Sequence, residues 1–166
     1  MGEVEETRME KRSGIIGFTG AFRESIGEIK EGAKVVFTGS VAVCTPFIEL
    51  LAYTVRDKGF DMLYVPVADA KEARKIKEIA KIGYSVVDEK GDPQNPDVIV
   101  VLGGLAMPKF GCAPEAVNQM IESLSSGAKK PKVIGVCFMN IFERAGWDTK
   151  ILFDTVIDTT LESVVK

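Results

Sequence analysis

The chain has 166 residues, with 21 Lys and Arg against 24 Asp and Glu, and a formal net charge of −3. That length supports one substantial core and is short for two, and 46% hydrophobic with 27% charged residues is a globular balance. The charge excludes a strongly basic nucleic-acid binder, because the one basic run, Lys129-Lys130-Pro131-Lys132, reads as a solvated connection between a helix and a strand.

The chain contains no histidine, which removes His-based triads, imidazole metal sites and His acid–base catalysis from consideration. Its longest apolar stretch, Val98 to Met107, is too short to cross a bilayer and is broken by Gly103 and Gly104. The acidic start, Met1-Gly2-Glu3-Val4-Glu5-Glu6, lacks the basic and apolar regions of a signal peptide. Cys44, Cys112 and Cys137 form no CxxC pair, and their odd number argues against a disulfide framework. A cytoplasmic protein with no membrane or nucleic-acid partner is the expectation.

Residues 1–13 read as a loose polar tail, and residues 14–166 as a single α/β domain. Phe18, Phe22, Ile26 and Ile29 recur at helical spacing, with Thr19 as N-cap and Gly32 as a stop. A strand at 34–38 follows, then a Gly39-Ser40 turn and a helix from about Thr45, where Pro46 fits the first turn. Residues 62–67 form a second strand that ends at Pro66. The pattern over 69–81 predicts a helix capped by Asp69 with Ala73, Ile76, Ile79 and Ala80 inward. A third strand spans Tyr84 to Val87, and Asp88 to Asp97 is a surface connection.

Val98 to Leu102 has no polar alternation, as expected of a central strand covered on both faces. A loop from Leu105 to Ala113 leads to a helix from about Pro114, and Lys132 to Phe138 is a fifth strand. Asn140 caps a short helix with Glu143 as its reciprocal partner. The segment 156–165 reads as a final edge strand, with antiparallel pairing allowed, or else as a terminal helix. Together these elements predict a doubly wound, mostly parallel sheet of five or six strands in the order 3-2-1-4-5.

In that order the first and fourth strands are neighbours, and the loops after them flank a crevice at the sheet's reversal point. Those loops are Gly39 to Thr45 and Gly103 to Ala113. Glycine admits close main-chain approach, and helix starts favour anions, so an anionic or nucleotide-like small molecule is the expected ligand. The expected ligand-binding residues are Thr38, Gly39, Ser40, Cys44, Thr45, Gly103, Gly104, Met107, Lys109 and Asn140. Neither loop matches GxGxxG or GxxxxGK[ST], and no particular cofactor or metal is implied. Cys44 and Cys112 fall in the two loops and are the candidate catalytic thiols.

Phe37-Thr38-Gly39-Ser40, the run Val101 to Pro108, and Gly135-Val136-Cys137-Phe138 resemble a family of uncharacterised small proteins from methanogenic archaea. The resemblance covers nearly all the chain after the tail and implies a cytoplasmic Rossmann-like domain, with no activity or catalytic residue attached. Three function classes stay open at this point. They are a small-molecule-binding domain, a redox or metal enzyme using Cys44 and Cys112, and an assembly or regulatory protein, with a homodimer as the expected oligomer.

Overall fold

A computed structural model describes residues 10–127 and 129–166, so most of the predicted tail lies outside the described residues. Seven strands form one mixed sheet: β1 (Lys34–Gly39), β2 (Asp61–Pro66), β3 (Arg74–Ile79), β4 (Gly83–Lys90), β5 (Val98–Leu102), β6 (Lys132–Phe138) and β7 (Thr155–Thr159). Their spatial order is β4-β3-β2-β1-β5-β6-β7. β1 lies parallel between β2 and β5, with Phe37 opposite Tyr64 on one side and Val100 on the other. The expected reversal between the first strand and the Val98–Leu102 strand is present, but the strand count and the full order differ from the expectation.

Two segments account for the difference. The first is 69–81, which is a short 3₁₀ turn at Ala70–Glu72 followed by β3 rather than a helix. β3 pairs antiparallel with both β2 and β4, and its turn into β4 carries Lys81 and Gly83 at positive φ. The Lys, Glu, Ala and Arg content has good helix propensity, yet Lys75-Ile76-Lys77 also alternates. In the sheet Ile76 is buried, while Lys75 and Lys77 both pair with Glu89 across the hairpin. Those two ammonium groups hold the Glu89 carboxyl down at about 2. Tertiary pairing has overridden local propensity.

The second is β7, which pairs parallel to β6, not antiparallel, because the chain returns through the short helix α4 (Ile141–Arg144) before re-entering the sheet. The connection before β5 also departs from a simple surface loop: β4 extends to Lys90, and Pro93 and Pro96 are buried.

Helices cover both faces of the sheet. α1 (Gly14–Ser25) and α2 (Thr45–Thr54) pack Phe18, Phe22, Ile48 and Leu51 over Val35 and Phe37. α3 (Pro114–Leu124) and the α4 region pack Val117, Met120, Phe142 and Trp147 over Val36, Ile99 and Val101. Successive β1 residues therefore serve opposite cores, which explains the unbroken apolar run. Thr19 does not cap α1; it lies within the helix and its hydroxyl donates to the Ile15 carbonyl at 2.9 Å. Arg23 ties α1 to the end of α2 through a two-pronged pair with Asp57 at 2.6 Å per bond, which holds that carboxyl well below its usual range.

The carboxyl ends of β1 and β2 are joined by one buried hydroxyl. Thr38 Oγ1 donates to the Val65 carbonyl at 2.9 Å and accepts the Ala68 N–H at 3.1 Å. This holds Val67 and Ala68, both at positive φ, immediately after β2. Thr38→Val keeps the shape but leaves the Ala68 N–H unpaired. It is expected to cost about 1–3 kcal/mol in a denaturant unfolding series; an unchanged midpoint would show that the hydroxyl is not the tie.

Candidate functional site

The connections that follow β1 and β5 leave toward opposite faces, α2 into one core and α3 into the other. Between them, at the carboxyl ends of β1, β5 and β6, lies a crevice of about 240 Å³. Leu102, Gly103 and Phe138 come from the strand ends, Val43, Cys44 and Phe47 from the start of α2, and Met139, Ile141 and Arg144 from the α4 side. Gly104 and Met107 complete the lining, which is almost wholly apolar.

The two glycine loops meet through one side chain. A Cβ on Gly39 would stand 2.5 Å from Cys44 Cβ, and one on Gly104 would stand 2.4 Å from Cys44 Sγ. A Cβ on Gly103 would come within 2.6 Å of Cys137 Cβ and 2.7 Å of Ile141 Cγ2. These glycines are explained by dense packing around sulfur and aliphatic groups. They form no open phosphate cradle.

The expected site residues divide accordingly. Cys44, Gly103, Gly104 and Met107 line the crevice. Gly39 is packed beneath Cys44, and Thr45 begins α2 just beyond it. Thr38 is fully buried with its hydroxyl committed to the β2 end. Lys109 is exposed in the loop and does not line the crevice. Asn140 stands at the start of α4 with φ 56°, where its Nδ2 donates to Glu143 Oε2 at 2.9 Å and its N–H to Asp158 Oδ1 at 2.9 Å. The expected pairing with Glu143 is present, but the Asn140 side chain does not cap the helix, and it too is outside the crevice lining. Ser40 is fully buried, and its Oγ has no hydrogen-bond partner among the described residues.

The three cysteines divide between the two cores. Cys44 packs in the α1–α2 core, whereas Cys112 and Cys137 belong to the α3–α4 core across the sheet. Cys44 and Cys112, the candidate thiols of the two facing loops, thus pack into different layers. Burial pushes all three thiols up, with Cys137 reaching about 12. At Cys44 the main-chain N–H groups of Ser40 and Gly104 oppose the rise but do not cancel it.

Sequence reasoning missed the aromatic pair and the charge. Phe47 and Phe138 face each other with ring centroids 4.6 Å apart. Among the described residues Arg144 is the only charged one in the lining, and its Nε donates to the Met139 carbonyl at 2.9 Å. The available signal was positional, since Arg144 is the only basic residue between Lys132 and Lys150. The backbone around this edge is strained: Ala42 after β1, Val67 and Ala68 after β2, and Met139 and Asn140 after β6 all have positive φ. Each such residue costs on the order of 1–3 kcal/mol, and such strain clusters at functional sites.

Two outcomes follow from the sulfur packing. Gly104→Ala drives a methyl into buried Cys44 Sγ and is expected to destabilise by about 1–3 kcal/mol, with much of that loss recovered in the Gly104→Ala/Cys44→Ala double variant. Additive effects in denaturant melts would show that the two positions do not touch. For the thiols, raised values mean that folding favours the neutral form. That contribution is full below the unfolded thiol value of about 8.5 and is lost as pH rises through the folded values. Thiol labelling of native protein near pH 8 is therefore expected to reach half-buried Cys112 first, and Cys44 and Cys137 only on unfolding; rapid labelling of Cys44 would contradict its burial.

Several known proteins are similar to this chain. An uncharacterized protein from Methanocaldococcus jannaschii, MJ1183, is 44% identical over 125 residues, covering 75% of this chain and 73% of its own. An uncharacterized protein from Methanothermobacter thermautotrophicus is 37% identical over 159 residues, covering 95% of this chain and 97% of its own. A crystal structure of a protein of unknown function from Methanothermobacter thermautotrophicus superimposes with a TM-score of 0.83 at 36% identity, covering 96% of both chains. Residues 13–162 match the family described as "Uncharacterized protein conserved in archaea", and on that match, with these relatives, the chain belongs to the archaeal family DUF2124.

Proposed function

We propose that this protein binds an anionic small molecule in the crevice between the start of α2, the loop after β5 and the start of α4. The observation that carries the reading is an apolar crevice of about 240 Å³ at the sheet's reversal point, with Arg144 as its single charged group among the described residues. Reversal points of open α/β sheets are where such domains take ligands, and a concave apolar surface with few polar groups is the usual form of a small-molecule site. The strained turns that frame it are a second support, because they hold Met139 and the α4 start against the mouth at a cost in stability.

The binding reading fits the thiols better than nucleophilic chemistry does. Cys44 is only 3% exposed, burial raises its pKa, and no histidine exists to activate it. Its sulfur serves the crevice wall as a small, polarizable apolar surface.

A thermal-shift screen with nucleotides, sugar phosphates, and acyl and aryl acids tests the proposal. A ligand present at one hundred times its Kd stabilises by about 2.7 kcal/mol, which raises the melting temperature by several degrees. Met107→Trp, a substitution at a half-open lining position, is expected to fill the crevice and abolish the shift. No shift with any probe, or a shift that survives Met107→Trp, would overturn the assignment.

A further inference from the structure

We infer that the crevice selects an amphipathic acid, an acyl or aryl body held inside with its carboxylate at the mouth on Arg144. This rests on the binding reading above and adds the ligand's chemical class and its orientation.

The interior dictates the body. Phe47 and Phe138 pack at 4.6 Å with a 47° tilt, and Phe18 backs Phe138 from the core at 5.5 Å, outside the lining. Met107 and Met139, 36% and 48% exposed, bring flexible thioethers to the opening, which adapt to an irregular apolar surface. The volume of about 240 Å³, just under the range of drug-sized sites, suits a small ligand. A ribose or other polyhydroxylated group would enter with hydroxyls that this lining leaves unpaired, at a cost for each.

The mouth dictates the head. The bond from Arg144 Nε to the Met139 carbonyl fixes the base of the guanidinium fork beside the opening. Among the described residues, no Asp or Glu lies within ion-pair distance of Arg144, so its two terminal nitrogens are open to a carboxylate. Lys109, the other basic side chain near this loop, lies outside the lining, so one cation serves the site. One cation matches one negative charge and not a polyphosphate. The glycines that would approach a phosphate are occupied instead, Gly104 against Cys44 and Gly103 against Cys137 and Ile141.

Isothermal titration of the full chain with octanoate, octan-1-ol, acetate and AMP tests this class. Octanoate is expected to bind at least about tenfold more tightly than octan-1-ol, the range for a hydrogen bond to a charged group, and more tightly than acetate or AMP. Arg144→Gln is expected to bring octanoate to the level of octan-1-ol while leaving octan-1-ol and, since Arg144 is exposed, the melting temperature of the free variant unchanged; a variant that keeps the octanoate preference would overturn the headgroup assignment. Equal affinity of native protein for octanoate and octan-1-ol would overturn the headgroup assignment and leave the apolar crevice standing. Preference for AMP would overturn the class. Failure of native protein to bind octanoate and octan-1-ol alike would overturn the binding reading itself.

Discussion

The contact on which the rest of this edge depends is the packing of Gly39 and Gly104 against the two sides of the Cys44 side chain. It joins the loops after β1 and β5 at the point where the chain changes from one face of the sheet to the other. Cys44 immediately precedes α2, so the same contact fixes where that helix starts and where Phe47 stands. A larger residue at either glycine would push the loops apart, because dense interiors yield little to an added methyl. The floor and one wall of the crevice are thus set by side-chain volume at three positions.

Hydrogen bonds hold the strained backbone elsewhere along this edge. Thr38 secures the turn after β2, and the Asp158 carboxylate of β7 holds the Asn140 N–H at the start of α4. The Met139 N–H also donates to the Thr159 carbonyl at 3.0 Å, tying the crevice rim to the last strand. β7 therefore belongs to the architecture of the site although it contributes no lining residue. Its parallel direction brings its carboxyl end to the same edge as the crevice.

The opposite end of the sheet follows a different logic. The β3–β4 hairpin leaves β4 as an edge strand, and Glu49 of α2 accepts the Val86 N–H at 3.0 Å. A carboxylate on an edge donor, with Asp88, Glu89 and Lys90 along the strand, blunts pairing with another chain. α2 thus serves both ends of its layer, with its first turn on the crevice and its middle on the hairpin edge.

Much of this was legible in the residues themselves. The all-apolar run Val98 to Leu102, the Pro46 helix start, the reversal between β1 and β5 and the meeting of the loops after them are local or topological consequences of sequence pattern. Absence of histidine and the near-neutral charge bound the chemistry by composition alone. Tertiary structure alone decided three matters. Residues 74–79 became a strand because β2 and β4 offered partners and Glu89 offered charge to Lys75 and Lys77, an outcome that helix propensity in a single segment cannot register. The cysteines separated because neighbouring positions at a sheet edge feed opposite cores. Arg144 reached the crevice because two left-handed residues, Met139 and Asn140, turn the chain back across the end of β6. Sequence spacing determines which residues share an element; which side chains share a cavity depends on crossings between elements, and those are fixed only when the cores pack.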